Sequence, residues 1–505
     1  MDLEGFAKRC LREDIPEADI ISEMSRRIIE IKKVPVEYAE RLAAAVLEEA
    51  RTTLRAGEVD DPLGVLCFEP SGVKMGEFGV GSRGLGDFFV HEKIAEIIGR
   101  TSAVVDSSSL SDSGVVQIGN GGTKAGTGAE ARARAKTGEG GESVEKSRAR
   151  AAESARGELK YLVVTVDGMH SRLSDFPFLA GFHVARAALR DVFVMAAEPV
   201  ALFSDIHVAD DGDVAKIFEH VAGISVVAEL SGVPLVTGST LRIGGDLVIG
   251  ERMTGCVGAV GVADFILTRK NAREGDVILM TEGSGGGTVA TAALYHGDFD
   301  IVYETLNLKF INACKALLHD ADVINALKSG RIHVMTDVTN GGVRGDAHEI
   351  AKVSGVKLVF YEENIRKLTN PKVLEMLERH HIDYLGVSLD ALLVICEEAV
   401  ADDVKRAAHA AGVKTEMVGF VERGKGAELI IDGRRTPFVP RFRESAYTPV
   451  KKVVGEYGDF ERLKPLVEEA ARRAAEKKRR IMEFLRQQHE GNVKEFESRI
   501  RPRGV

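Results

Sequence analysis

The stretch that decides the fold runs from residue 161 to residue 199 and reads YLVVTVDGMHSRLSDFPFLAGFHVARAALRDVFVMAAEP. Residues 161–166 are apolar and rich in β-branched side chains, which predicts a strand that ends at Asp167 and Gly168. A helical pattern follows from about 180 to 198 and contains Asp191. The stretch therefore predicts a strand followed by a helix, and its four acidic residues include Asp167 and Asp191.

The same alternation of strand and helix patterns extends on both sides of this stretch. Apolar, β-rich runs lie at 161–166, 234–237, 276–281, 357–361 and 391–396, and helical patterns lie near 180–198, 214–231, 305–328, 344–354 and 400–411. This mixture predicts an α+β (mixed α/β) fold. Because 505 residues are too many for one hydrophobic core, we expect at least two domains, with a boundary between residues 262 and 275.

The segments around this central part differ from it in composition. Residues 1–62 show helical patterns and predict an N-terminal extension, and residues 456–500 predict a charged C-terminal helix. Between these we place one domain at 63–265 and a second at 266–440. The segment at about 119–157 contains no Ile, Leu, Phe or Tyr, so it lacks the apolar surface needed to fold. We expect it to be a flexible insertion in the first domain.

Charge and cysteine usage exclude several classes of protein. The formal net charge of −10 disfavours a binder of nucleic acid or of anionic membranes, since both require a positive field. The five cysteines include no CxxC pair, which disfavours a disulfide framework or a zinc ribbon. The N-terminus does not resemble a signal peptide, and the apolar runs are too short to span a bilayer. We therefore expect a cytoplasmic protein without nucleic-acid or membrane partners.

Five aspartates, each at the expected end of a strand or in a glycine turn, are the candidate metal ligands. Mg²⁺ and Mn²⁺ bind hard oxygen ligands, and Mg²⁺ takes few of them from the protein. A single aspartate in such a turn is more often a turn or cap residue, so the prediction rests on the set. We predict that Asp167 and Asp191 are catalytic and that a divalent metal is bound by Asp112, Asp167, Asp191, Asp205 and Asp337.

A glycine-rich segment at 71–87, SGVKMGEFGVGSRGLGD, is the candidate phosphate-binding loop. Glycines leave backbone N–H groups open to a phosphate, and basic or hydroxyl side chains add further donors. The segment lacks the GK[ST] ending of a Walker loop, so in isolation it also fits a flexible turn. The residues that we predict to bind a nucleotide are Lys74, Gly79, Gly81, Ser82, Arg83 and Gly84.

Taken in order, nine strings between residues 71 and 435 resemble the motifs of the aminoimidazole ribonucleotide synthetase-related (PurM-like) superfamily. They are GVGSRGLGDFFVHEKI at 79–94, LSDSGVV at 110–116, TVDGMH at 165–170, RDVFVMAAEP at 190–199, VPLVTGST at 233–240, GDVILMTEG at 275–283, TDVTNGGVRGDAHEIA at 336–351, VSLDALLVI at 387–395 and VGFVE at 418–422. The superfamily includes thiamine-monophosphate kinase, selenophosphate synthetase and the hydrogenase-maturation carbamoyl dehydratase.

The resemblance implies two PurM-like α+β domains, with the N-terminal domains of two subunits sharing a β-barrel, and hence a homodimer. It also implies ATP and a divalent metal bound between the glycine-rich loop and the aspartates. The chain departs from the superfamily pattern at Ser239, where a ligand aspartate is usual, and at Ser111, which replaces the first of a frequent aspartate pair. No cysteine matches the reactive cysteine or selenocysteine of selenophosphate synthetase.

Three functions are compatible with these residues. The leading hypothesis is a metal-dependent phosphohydrolase, a phosphatase or ATPase that acts on a small phosphate ester or nucleotide, because no acceptor machinery is recognisable. The first alternative is an ATP-dependent synthetase or kinase of the PurM-like type. The second alternative is a regulatory protein that binds a nucleotide or metal without turnover, which the departure at Ser239 favours.

Overall fold

The computed structural model describes residues 1–56, 70–73, 75–79, 84–99, 101–118, 160–455 and 459–500. The insertion predicted at about 119–157 lies outside the described residues. The helices are α1 (Leu3–Arg12), α2 (Glu17–Lys32), α3 (Val36–Ala56), α4 (Met75–Phe78), α5 (Leu85–Ile98), α6 (Pro177–Phe193), α7 (Ala215–Ser231), α8 (Gly287–His296), α9 (Phe299–Thr305), α10 (Lys309–His319), α11 (Ala321–Lys328), α12 (Gly342–Ser354), α13 (Glu362–Leu368), α14 (Pro371–Arg379), α15 (Ala401–Ala410), α16 (Pro449–Gly455) and α17 (Phe460–Ile500).

The strands form two separate sheets, one in each half of the chain. They are β1 (Gly114–Ile118), β2 (Lys160–Gly168), β3 (Glu198–Val208), β4 (Leu235–Arg242), β5 (Met253–Ala263), β6 (Asp276–Thr281), β7 (Ile332–Asp337), β8 (Lys357–Tyr361), β9 (Leu392–Glu397), β10 (Thr415–Glu422), β11 (Gly426–Ile431) and β12 (Arg434–Pro437). The predicted mixture of strands and helices is confirmed. The boundary expected between residues 262 and 275 lies in the connection between β5 and β6.

The first sheet has the order β1-β2-β5-β3-β4 and is antiparallel except for the parallel pair β3 and β4. In the described residues it is an open sheet, so the barrel that the resemblance implies is not closed within one chain. Helices α6 and α7 pack against each other and α6 packs on the inner face of the sheet, where Val163, Leu202 and Val257 are buried. The outer face keeps apolar side chains exposed, with Val166 at 61%.

The second sheet has the order β12-β11-β8-β10-β6-β9-β7, with one parallel pair, β8 and β11. Strands β6, β7 and β9 consist almost entirely of buried residues, and the sequences of β6 and β9 are accordingly mostly apolar. One hydrophobic core includes residues of both domains, such as Leu189 from the first and Leu279 and Val394 from the second. The two domains therefore pack directly on each other.

The terminal segments pack on the domains at different places. Helices α1 to α3 form a small core of their own together with Ile249, and Lys32 pairs with Asp210 and Asp211 of the first domain. Helix α17 begins against α5, and its Phe460 stacks on Phe78 of α4 at 5.6 Å between ring centroids. No helix in the described part of the chain is both long enough and apolar enough to cross a bilayer.

Candidate active site

A cavity of about 730 Å³ lies between the two domains, and both contribute to its walls. The first domain supplies three carboxylates and the arginines of α6, and the second domain supplies glycine, hydroxyl and amide groups. The lining includes Asp112, Asp167, Asp191, Arg186, Arg190, Arg269, Gly287, Thr288, Thr339 and Asn340. A large cleft between domains with converging charged groups is the usual form of an enzyme active site.

The carboxylates reach the cavity from three different elements. Asp167 is the penultimate residue of β2, Asp112 lies in the loop before β1, and Asp191 lies in the last turn of helix α6. Asp191 does not end a strand, as we expected of the candidate ligands, but lies in the helix that the pattern at 180–198 predicts, which begins at Pro177 and ends at Phe193. The structure thus places three of the five predicted metal ligands in the lining of one cavity.

Hydrogen bonds and like charges define the state of Asp191. The Thr165 hydroxyl donates to Oδ2 of Asp191 at 2.9 Å, and the Ser113 hydroxyl donates to its backbone carbonyl at 2.7 Å. Burial, followed by the negative charges of Asp337, Asp167 and Asp112, raises the pKa of the Asp191 carboxyl well above its ordinary value. A divalent cation would remove this repulsion, so the acidic wall is suited to binding one.

The donor set fits a metal that is completed by a substrate. In the described residues, no three His, Cys, Asp or Glu side chains are arranged so that they hold one metal ion by themselves. Mg²⁺ commonly uses only one or two protein carboxylates and takes its other ligands from phosphate and water. Asp167 and Asp191 fit that requirement, whereas a metal site made only of protein ligands does not fit this arrangement.

The other two predicted ligands lie elsewhere. Asp337, the last residue of β7, is fully buried, and its Oδ2 lies 3.0 Å from Nε of Arg190. Asp205 lies in the middle of β3, on the outer face of the first sheet, with its Oδ2 2.9 Å from Nε2 of His207. Its neighbours in register are Ser239 and Cys256. Neither aspartate lines the cavity.

Two arginines on one face of α6 carry the positive side of the site. Arg186 and Arg190 are separated by one helical turn, are both buried, and both pair with Asp390. Asp390 has φ of 55°, in the left-handed region that is uncommon for residues other than glycine. Arg186 also donates to the backbone carbonyls of Thr305 and Asn307 at 2.8 and 2.6 Å. These contacts fix both guanidinium groups against the cavity wall.

Arg269, in the connection between the domains, forms a buried network of ion pairs and hydrogen bonds with residues of both domains. Its Nη2 donates to Oδ1 of Asp112 at 2.6 Å and to the Thr336 hydroxyl at 2.7 Å. The same guanidinium pairs with Asp346 at 3.2 Å and with Glu349. The Thr336 hydroxyl in turn donates to Oδ2 of Asp112 at 3.0 Å. Both carboxylate oxygens of Asp112 are therefore held by groups that follow the first domain in sequence.

A second glycine-rich loop, EGSGGGT at 282–288, joins β6 to α8 and lines the cavity at Gly287 and Thr288. A Cβ at Gly287 would lie 2.6 Å from the ring of His170, so a larger residue does not fit there. The Thr288 hydroxyl is buried and has no hydrogen-bond partner among the described residues. Helix N-termini favour anions, so this wall is suited to a phosphate.

The first glycine-rich segment is only partly visible. The predicted nucleotide ligands Lys74, Gly81, Ser82 and Arg83 lie outside the described residues. Gly79 and Gly84 are described and do not line the cavity. A Cβ at Gly84 would lie 2.3 Å from the carbonyl oxygen of Phe442, so this glycine allows the C-terminal segment to approach closely. The predicted contacts of this segment with a nucleotide stay a prediction.

Two histidines near the cavity are uncharged at neutral pH. Burial, with smaller contributions from the positive charges of Lys451 and Arg190, lowers the pKa of His170 to about 4. Burial and the adjacent Arg186 lower the pKa of His183 well below its ordinary value. At neutral pH these rings therefore act as neutral hydrogen-bonding groups and leave the positive charge of the site to arginine and lysine.

Sequence reasoning missed most of the basic half of this site. The two arginines on α6 stand four residues apart, a spacing that places them on one helical face. The loop at 282–288 has four glycines in seven residues directly after an apolar run, which is a signal as strong as that at 71–87. Arg269 offers no comparable signal, because it lies in a connection whose partners come from distant parts of the chain.

Comparison with known proteins assigns both halves of this structure to one family. The profile of the AIR synthase related protein, N-terminal domain, matches residues 151–263, and that of the C-terminal domain matches residues 273–432. An uncharacterised protein of Methanocaldococcus jannaschii is 49% identical over 499 residues, which cover 96% of this chain and 99% of that protein.

More distant relatives carry functional names. The carbamoyl dehydratase HypE of Cupriavidus necator is 30% identical over 49% of this chain and 66% of its own length, and the selenide, water dikinase of Myxococcus xanthus is 26% identical over 40% and 55%. Among solved structures, the hydrogenase maturation protein HypE of E. coli aligns with 55% of this chain and 84% of its own, with a TM-score of 0.46 and 19% identity.

Proposed function

Because the chain belongs to the AIR synthase related family, we propose that it is a divalent-metal-dependent enzyme that transfers a phosphoryl group from ATP to a small acceptor. The observation that carries this proposal is the cavity between the domains, whose lining combines Asp167 and Asp191 with buried arginines and with the glycine-rich N-terminus of α8. Phosphoryl transfer requires little more than the positioning and electrostatic neutralisation of phosphates, and these groups supply both.

This proposal replaces hydrolysis, the leading hypothesis from sequence, with its ATP-dependent alternative. The relatives give no support to a phosphatase, whereas one of them is named a dikinase, an enzyme that transfers phosphoryl groups. The cavity is also large enough for more than a phosphate and a water molecule. A second substrate therefore accounts for the site better than water alone.

The residues that line the cavity have different roles in this proposal. Arg186 and Arg190, held by Asp390, would stabilise negative charge on the phosphates without moving, since their ion pairs preorganise them. The Thr288 hydroxyl and the adjacent N-terminus of α8 would donate hydrogen bonds to phosphate oxygens. His170, uncharged at neutral pH, can position an acceptor through a hydrogen bond.

A divalent metal would be held by Asp167 and Asp191 together with phosphate oxygens, and it would neutralise charge on the transferred group. Asp112 is the third carboxylate of the wall, but in this structure it pairs with Arg269. We therefore assign Asp112 to the positioning of the acidic wall, with Arg269 as its partner, and leave direct binding of the metal to the other two.

ATP turnover by the purified chain tests the proposal directly. We expect ADP to form only with Mg²⁺ or Mn²⁺, to stop when EDTA is added, and to form faster when a low-molecular-weight metabolite fraction supplies the acceptor. The label of [γ-³²P]ATP should then appear in a new phosphorylated product. Stoichiometric release of orthophosphate regardless of acceptor would instead establish hydrolysis, and ATP binding without turnover would favour the regulatory alternative.

We further propose that a second copy of the chain covers the outer face of the first sheet. Side chains on this face are apolar yet exposed, with Val164 at 39%, Val166 at 61% and Leu241 at 55%. Exposed apolar faces of this kind usually mark an interface. The proposal agrees with the homodimer that the family resemblance implies.

Replacing Val166 by lysine is expected to convert a dimer into a monomer while the chain stays folded, because the side chain is solvent-exposed in the single chain and a buried ammonium would oppose association. Analytical ultracentrifugation would report the mass of one chain, 54.5 kDa, instead of two. Val36→Lys, at an exposed position of α3, is the matched control and should stay dimeric. A wild-type chain that sediments as a monomer would refute the proposal.

A further inference from the structure

The segment that follows the second domain forms part of the cavity wall. The C-terminal family profile ends at residue 432, yet Tyr447 and Lys451 line the cavity. Tyr447 is 4% exposed and packs in the core of the second domain. Lys451 lies one helical turn later, in α16, and its Nζ donates to the Tyr447 hydroxyl at 2.8 Å. This part of the site is supplied by the chain's own extension.

Several contacts hold this C-terminal segment in place on the second domain. Glu444, itself buried, accepts a hydrogen bond at 2.9 Å from Arg344, and the Ser445 hydroxyl accepts one from the backbone N–H of Asp383. Lys452 donates to the carbonyl of His380 at 2.7 Å. The position of Lys451, which lines the cavity, is therefore fixed by its neighbours.

The cavity cations differ in whether a carboxylate neutralises them. Arg186, Arg190 and Arg269 each form buried ion pairs with aspartate or glutamate. Lys451 and Arg172 line the same cavity, and neither makes an ion pair with a carboxylate of the described residues. Lys451 donates a hydrogen bond to the Tyr447 hydroxyl, and its Nζ lies 4.0 Å from the centroid of the Tyr447 ring, but neither contact supplies a negative charge. The charges of Lys451 and Arg172 are therefore not balanced by an ion pair with a carboxylate of the described residues.

We propose that Lys451 binds an anionic group, a carboxylate or a phosphate, on the acceptor substrate, and that the C-terminal extension thereby selects a negatively charged acceptor. Lys451 is a specificity-determining residue in this assignment, and Arg172 is available at the same cavity as a second cation. The inference rests on the proposed ATP-dependent function, because it places the acceptor in the cavity beside the nucleotide. The anion would replace the missing carboxylate partner of the ammonium.

Calorimetric titration of three probes tests this assignment. Glycerol 3-phosphate, malate and uncharged glycerol are titrated into the full-length chain, both free and saturated with Mg²⁺ and β,γ-imido-ATP. We expect at least one anion to bind more tightly than glycerol. Lys451→Met should weaken that binding roughly tenfold or more, the loss typical of a charged hydrogen bond, while Lys451→Arg should restore most of it. Preference between the two anions identifies the recognised group.

Lys425→Met is the control, because it removes the same charge from an exposed position between β10 and β11 that lies outside the cavity lining. This variant should bind the anion like the wild-type chain. Equal anion binding by wild type and Lys451→Met, or no preference of the wild type for either anion over glycerol, would overturn the assignment. Loss of β,γ-imido-ATP binding in Lys451→Met would overturn it as well, since the lysine would then serve the nucleotide.

Failure of the proposed function gives a different result. In that case the wild-type chain does not bind β,γ-imido-ATP with Mg²⁺, and the titrations of the nucleotide-free chain still decide whether Lys451 binds an anion.

Discussion

Asp191→Asn is expected to abolish metal-dependent ATP turnover and, in the absence of metal, to raise the melting temperature of the chain. The substitution removes a carboxylate from the acidic wall and keeps its size and its hydrogen bond with Thr165 within reach. Turnover is lost because one of the two carboxylates proposed to hold the metal becomes a neutral amide. Stability rises because the amide does not ionise, whereas burial and three neighbouring aspartates oppose the ionisation of the Asp191 carboxyl in the folded chain.

The pH dependence of stability follows from the raised pKa of Asp191. The unfolded chain loses this proton at the ordinary carboxyl pKa, whereas the folded chain keeps it to higher pH. The wild-type chain therefore loses stability as pH rises from the ordinary carboxyl range to the pKa of the folded state. The asparagine variant should not show this loss, and a divalent metal should restore stability only to the wild type.

Thermal unfolding monitored by circular dichroism between about pH 4 and about pH 8, a range that begins at the ordinary carboxyl pKa, measures the effect on stability. ATP turnover at limiting metal measures the effect on activity. Asp264→Asn, at an exposed position beyond β5, is the control and should change neither quantity. Turnover at the wild-type rate in Asp191→Asn would show that this carboxylate is not part of the metal site.

Arg269→Leu is expected to lower the free energy of unfolding by about 3–5 kcal/mol, the cost of removing one partner from a buried ion network. Arg269 is 2% exposed and contacts Asp112, Asp346 and Glu349, whose carboxylates would be left buried without its charge. Asp112 would also lose one of the groups that join it to the second domain. We therefore expect ATP turnover to fall as well, even at temperatures where the variant is folded.

Denaturant unfolding followed by circular dichroism measures this loss. Arg273→Leu is the matched control, because it removes an exposed arginine from the same connection between the domains, and its effect should be within about 0.5 kcal/mol of zero. If Arg269→Leu lowers the free energy of unfolding by no more than the control does, the ion pairs of Arg269 contribute little to holding the domains together.

Much of the fold follows from local patterns. The predicted strands at 276–281 and 357–361 coincide with β6 and β8, because continuous apolar runs of this length suit strands that are buried on both faces. The helices near 214–231 and 400–411 are likewise present, since their apolar periodicity is a local property. The pattern at 305–328 forms two main helices, α10 and α11, divided at Asp320, which caps the second through its side chain.

The candidate site is less predictable because it depends on which face each side chain occupies. Asp167 and Asp205 both lie in β-rich segments, after Val166 and after Ser204, and sequence alone gives them equal standing. In the first sheet Asp167 is in register with Val257 of β5, whereas Asp205 is in register with Cys256, the residue before it. A shift of one residue reverses the face, so Asp167 points to the cavity side and Asp205 to the outer face.

What the sequence by itself determined is therefore the family, the two-domain mixed fold, and a set of five candidate aspartates, three of which the structure places in the cavity lining. Only the tertiary structure decided that Asp337 forms an ion pair with Arg190 and that Asp112 forms one with Arg269. It also decided that Lys451, in the C-terminal extension, lines the cavity. The physical reason is that periodicity and turn chemistry act over a few neighbouring residues. Ion pairs between residues more than a hundred positions apart are set by how whole elements pack.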